Sequence, residues 1–134
     1  MAVTRSDTLP LQNEQDIVLA RQAVRKFAQE LGFGIVDQTK IVTAASELAR
    51  NALIYGKGGN MKWEMLLDGI RKGLRLHFID EGPGIADMKL AMTDGWTSGN
   101  GMGLGLTGAK RLVNEFEIES NAGKGTRVTI TRWK

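Results

Sequence analysis

With 134 residues and 14.6 kDa the chain has the size of one domain, and 42% hydrophobic with 25% charged residues is ordinary for a globular fold and excludes a disordered one. The absence of cysteine and a single histidine, His77, exclude a disulfide scaffold, a thiol nucleophile and a metal centre built on cysteines or a histidine cluster. A net charge of +3 with no basic block longer than two residues, 6% aromatics and no apolar run of membrane-spanning length point to a cytoplasmic protein that binds neither nucleic acid nor membrane.

Ala2 to Leu11 reads as extended, and Pro10 marks it as an edge strand or an arm. From Glu14 to Leu31, Ile17, Ala20, Val24, Phe27 and Leu31 recur at three- and four-residue steps, which predicts an amphipathic helix stopped by Gly32 and Gly34. A second helix is predicted from Val36 to Tyr55, with Asp37 as N-cap or first-turn acid and Ile41, Ala45, Leu48, Ala52 and Tyr55 on its core face. Two alternating strands follow. Met61, Trp63, Met65 and Leu67 define the apolar face of one, Leu74, Leu76 and Phe78 that of the next, with a turn from Asp68 to Gly73 between them. Met88 to Met92 reads as a short helix and Thr93 to Gly103 as a polar, glycine-rich loop able to act as a lid. Leu104 to Val113 is a third main helix, Phe116 to Glu119 a strand, Asn121 to Gly125 a turn and Thr126 to Trp133 the last strand. Nothing repeats and no linker is visible, so residues 1–134 are read as a single domain. Helices before and between mostly antiparallel strands predict a two-layer α/β (α+β) sandwich with helices on one face.

Glycine is unevenly spread. Thirteen of the 17 lie between Gly56 and Gly108, which marks backbone that takes special dihedrals or closely approaches a ligand. On the second helix Glu47 and Asn51, four residues apart, share the face opposite Ala45, Leu48 and Ala52. That face is either plainly solvated or a site. In a site, the Asn51 amide oxygen suits Mg²⁺, and Glu47 can orient or deprotonate a hydroxyl. By alternation Asp80 falls on the buried face with Leu74, Leu76 and Phe78. A carboxylate there needs donors, either a ligand's exocyclic amine or the amides of the Gly82–Gly84 turn.

The run Gly99-Asn100-Gly101-Met102-Gly103-Leu104-Gly105-Leu106-Thr107-Gly108 leads into a helix. It is either a flexible surface loop or a row of N–H groups for phosphate. It is no Walker A loop, since Gly108 is followed by Ala109. Its G-x-G-x-x-G follows a polar loop instead of a strand, outside any parallel βαβ unit. Thr126, after Gly125, opens the last strand on the same face as Val128 and Ile130.

In this order and spacing, Glu47-x-x-x-Asn51, Asp80-x-Gly82-x-Gly84, Gly101-x-Gly103-x-Gly105 and Gly125-Thr126 resemble the GHKL ATP-binding superfamily, from about Asp16 to Trp133. The resemblance implies a Bergerat-type fold with ATP and Mg²⁺ as cofactors. It implies that Asn51 holds Mg²⁺ against the triphosphate, that Asp80 accepts from the adenine amino group with support from Thr126, and that Gly82, Gly84 and Ile85 bring the backbone to the base. Gly99, Gly101, Gly103, Leu104 and Gly105 would form the lid, and Glu47 would be the catalytic base. The size leaves no room for the transducing modules of the topoisomerase, chaperone and mismatch-repair members, and His77 sits mid-strand, not on a phosphoacceptor helix.

The run Glu47 to Asn51 with Tyr55 to Gly58, the segment Glu30 to Gly34, the short lid and Trp133 are similar to the serine/threonine switch kinases of the stressosome. That family implies phosphorylation of STAS-domain proteins, which serve as substrates and scaffold, and activation of a metal-dependent serine phosphatase on release. An anti-sigma-factor kinase and a nucleotide-bound regulator without catalysis are the alternatives. Arg50 and Lys57 are candidate phosphate or partner contacts.

Overall fold

Over residues 1–83, 102–120 and 123–134, which the computed structural model describes, five strands and three helices follow the chain. They are β1 (Ala2–Leu11), α1 (Glu14–Glu30), α2 (Ile35–Ile54), β2 (Gly59–Asp68), β3 (Arg71–Asp80), α3 (Met102–Arg111), β4 (Glu115–Ser120) and β5 (Thr126–Trp133). The strands form one sheet in the order β1-β2-β3-β5-β4, antiparallel at every ladder. One sheet face carries Leu11, Met61, Trp63, Met65, Leu74, Leu76, Phe78, Val128 and Ile130, all buried with the apolar faces of the helices. This is the two-layer α+β arrangement expected from the order of elements.

Local chemistry accounts for the helix ends. The Asn13 side chain accepts from the Asp16 amide (2.9 Å) while the Asp16 carboxylate accepts from the Gln12 amide (2.8 Å), a cap that satisfies one orphan donor of α1 and fixes the chain leading into it. Gly32 then takes φ +84°, which an alanine would adopt only under strain. Ile17, Ala20, Val24 and Phe27 are buried as the periodicity predicts, and the Phe27 ring stacks on Trp63 at 4.1 Å. The N-cap of α2 is Gly34; Asp37 is a first-turn acid whose carboxylate receives Arg132 Nη2 (2.5 Å). Arg132 Nη1 also donates to the Leu112 carbonyl (2.9 Å), so one guanidinium ties β5 to the start of α2 and the end of α3.

Four details differ from the sequence reading. The β2–β3 turn is only Gly69 and Ile70, because Asp68 pairs with Arg71 and the strands run to the very end of the hairpin. Met102 and Gly103, expected in the loop, belong to α3. Leu66, on the face opposite the core, is buried: it lies in register with Gly73 and so with Trp133, whose ring sits on the Gly73 Cα. His77, on the same open face, is buried too, between Glu64 (Nε2 to Oε1, 2.5 Å), Thr129 (Nδ1 to Oγ1, 3.0 Å) and Arg127 (Nη2 to Nδ1, 3.3 Å). The predicted helix at Met88–Met92, the loop up to Gly101 and the turn residues Asn121 and Ala122 lie outside the described residues.

Candidate functional site

The end of β3 is where the chain crowds. Asp80 pairs with Gly59 of β2 on one side and Thr126 of β5 on the other, and its side chain is half-buried on the core side. Its Oδ1 accepts from the Gly82 amide at 2.9 Å, and the Thr126 backbone amide also donates to the carboxylate. Of the turn amides named in the sequence reading, that of Gly82 is therefore in place, while Gly84 lies outside the described residues. A carboxylate has roughly four acceptor positions, so two amides leave capacity for a ligand's donor. Burial pushes the Asp80 carboxyl above its ordinary range, and the two amides partly offset this.

Glycines make the crowding possible. A Cβ on Gly56 would overlap the Asp80 side chain, one on Gly82 would come within 2.6 Å of the Gly56 Cα, and one on Gly125 (φ +80°) would strike the Asp80 carbonyl. Gly56 caps the end of α2, where its amide and that of Tyr55 both donate to the Asn51 carbonyl (3.1 and 2.9 Å). The C-terminal end of α2 is thereby seated directly on Asp80. Sequence reasoning missed Gly56 and Gly125 as packing partners of this carboxylate, although glycine itself was the signal.

Two of the predicted site residues ride on that helix. Asn51 is half-buried, not fully on the solvated face, and its Nδ2 is buried without a hydrogen-bond partner among the described residues. A buried amide nitrogen left unpaired is costly, and rotating the amide exchanges it with the oxygen. Glu47, one turn earlier, is exposed. Arg50 is exposed and lies 3.8 Å from Glu14 of α1, while Lys57, at φ +60°, is exposed beside Gly58. Thr126 Oγ1 is 2.8 Å from Ser120 Oγ, so the hydroxyl is engaged towards β4 while the backbone N–H serves Asp80. Gly103, Leu104 and Gly105 fall in the backbone of α3; Gly84, Ile85, Gly99 and Gly101 lie outside the described residues.

Two cavities flank Asp80. One of about 310 Å³ is lined by Ser120, Lys124, Thr126 and Arg127, and one of about 380 Å³ by Gln12, Lys57, Asn60 and Gly82. Among the described residues no cluster of three or more acids and histidines could hold a metal alone. A magnesium ion that keeps waters and takes phosphate oxygens needs only one or two protein ligands, and the Asn51 amide fits that role.

A half-buried carboxylate at a strand end, beside a helix-borne asparagine, on an antiparallel sheet with helices on one face, describes one class of ATP-binding domain. The chain belongs to that family, the histidine kinase-, DNA gyrase B- and HSP90-like ATPases, whose model matches residues 36–134. Within it the chain is 47% identical over 123 residues to the serine/threonine-protein kinase RsbT of Bacillus subtilis, covering 92% of both chains. It is 33% identical over 129 residues to an anti-sigma F factor of Thermoanaerobacter sp. (strain X514), covering 92% of this chain and 89% of that one. Among solved structures, the RsbU and RsbW domains of Rv1364c from Mycobacterium tuberculosis superpose with a TM-score of 0.66 at 25% identity, over 98% of this chain. The chain spans a third of that longer protein. The expected resemblance to RsbT-type switch kinases, with anti-sigma-factor kinases as nearby relatives, is borne out. No helix among the described residues is long and apolar enough to cross a membrane.

Proposed function

We propose that this chain is an ATP-dependent protein-serine/threonine kinase of a partner-switching pathway, acting on STAS-domain proteins and activating a metal-dependent serine phosphatase when released from them. The reading is carried by one observation: Gly56 seats the end of α2 on the half-buried carboxylate of Asp80, so that Glu47 and Asn51, whose Nδ2 has no partner among the described residues, share a frame with it. The 47% identity to a serine/threonine-protein kinase supports the same class of reaction.

In this reading Asp80 accepts from the adenine amino group while Gly82 and Gly84 keep the backbone close to the base, with Ile85 beside them. Bound Mg²⁺ supplies charge neutralisation of the triphosphate, and Asn51 is the side chain that holds it. Gly99, Gly101, Gly103, Leu104 and Gly105 cover the phosphates. Glu47 accepts or orients the proton of the incoming serine or threonine hydroxyl. Phosphoryl transfer needs positioning and charge compensation more than covalent help from the protein, which suits so small a set of groups.

The test is thermal unfolding with and without Mg-ATP, on wild type and Asp80→Asn, followed by transfer to a purified STAS domain with Glu47→Ala. Ligand at a hundred times Kd adds about 2.7 kcal/mol, a shift of several degrees. Wild type should show it and Asp80→Asn should lose it; Glu47→Ala should keep it and lose transfer. Full transfer by Glu47→Ala would refute the base, and an unshifted wild type would refute the nucleotide site.

A further inference from the structure

The end of the sheet away from Asp80 carries an unexplained surface. Ile70 is 99% exposed in the two-residue β2–β3 turn. The turn does not require it. Gly69 supplies the positive φ (+64°), and its neighbour in such turns is ordinarily Asn, Ser or another small polar residue. Single exposed apolar residues are common, but this one has company. Leu67, two residues before the turn, is exposed on the face it shares with its pair Ala2, and Met1 and Val3 are exposed on the other face, so apolar side chains stand on both sides of this end of the sheet.

The charges around this patch are unbalanced. The amino terminus lies 3.8 Å from Asp68, which occupies the acid of the turn. Arg71 and Lys72 remain, both exposed and without an ion pair among the described residues. Arg71 is held in place by its guanidinium, 4.6 Å over the Trp133 ring. That ring is in turn fixed by Nε1 donating to Glu115 (2.6 Å) and by the bare Cα of Gly73 beneath it. A cation already immobilised loses little rotamer freedom when a partner arrives.

We propose that the β2–β3 hairpin tip is a docking surface for an acidic segment of a partner protein, with Ile70 as apolar anchor at the apex and Arg71 and Lys72, on opposite faces of the hairpin, as the flanking cations. One apolar apex flanked by two cations suits contact with a single acidic segment, whereas a membrane surface calls for a broad basic and apolar face. The nine-residue step from Arg71 to Asp80 spans about 30 Å of strand, so a partner there leaves the nucleotide site open.

The test is a nuclear magnetic resonance titration of the full chain with a capped amphipathic peptide of glutamates and leucines. The same peptide with lysine for glutamate, and phosphatidylglycerol vesicles, serve as the other two probes. The glutamate peptide should shift the amides of Leu67 to Lys72 and the Trp133 indole. Ile70→Ser, which changes only an exposed turn side chain, should weaken binding at least tenfold, as should Arg71→Glu with Lys72→Glu. The Mg-ATP shift in unfolding temperature should be the same in these variants as in wild type, which separates this surface from the nucleotide site. Equal binding of the lysine peptide, insensitivity to Ile70→Ser, shifts spread away from the hairpin or preference for the vesicles would each overturn the proposal.

Discussion

Replacing Gly56 by alanine probes the seat of α2 on Asp80 with a single methyl group. Gly56 is buried but its φ is not in the left-handed region, so the backbone accepts alanine and only packing opposes it. The new Cβ would lie 2.6 Å from both the Cβ and the Oδ2 of Asp80, with the Gly82 backbone behind. Overpacking of this kind costs about 1–3 kcal/mol. Against it stands a gain of about 0.4–1 kcal/mol, because alanine restricts the unfolded chain. The net expectation is a loss of about 1–2 kcal/mol, or roughly 3–8 °C in a chain of this length. Because relief of the clash must push Asp80 or lift the end of α2, the Mg-ATP shift should fall with it. Thermal unfolding by circular dichroism, with and without Mg-ATP, reads both effects. Gly108→Ala is the control: it lies inside α3 with nothing within 4 Å of its Cβ position, and should gain about 1 kcal/mol of helix propensity. A Gly56→Ala protein as stable as wild type, with its nucleotide shift intact, would refute the argument that this contact builds the site.

Three further outcomes follow from the same structure. Asp80 is an acid whose folded pKa is raised, so its favourable contribution is complete below the unfolded value and is lost as pH rises through the folded one. Asp80→Asn should therefore make the nucleotide-free protein more stable at neutral pH, measured by denaturant unfolding, while ATP affinity of the wild type should fall on acidification from a higher pH than an ordinary carboxylate would give. Arg132→Met removes the donors to Asp37 and the Leu112 carbonyl and should cost about 2 kcal/mol in denaturant unfolding, discounted because Asp37 is partly exposed. Phe27→Ala leaves Trp63 without its stacking partner in the core and should cost about 3–4 kcal/mol by the same assay.

How much of this could be read before folding depends on the length scale of the cause. Alternation along β3 placed Asp80 on the core face, and helical spacing in α2 brought Glu47 and Asn51 to adjacent turns. Both are local rules. Burial of Leu66 and His77 on the open face follows from what stands beside them in neighbouring strands, Gly73 with Trp133 in one row and Thr129 in the other, and no property of β2 or β3 alone announces it. The short hairpin turn was hidden by Arg71, Lys72 and Gly73, a polar stretch that pairs all the same. Gly56 was legible as a helix stop, but its second duty, making room for Asp80, needs the approach of a strand end 24 positions later in the sequence.

The central position of β3 has a consequence for how binding would be felt. Asp80 closes a strand paired on both sides along most of its length, so the amides preceding it are expected to exchange chiefly when the sheet itself opens. A ligand held by that carboxylate is expected to slow exchange along the central strand of the sheet, rather than merely quieting a surface loop. Recognition at this point is wired into the cooperative unfolding unit, and hydrogen exchange along β3 is the place to read it.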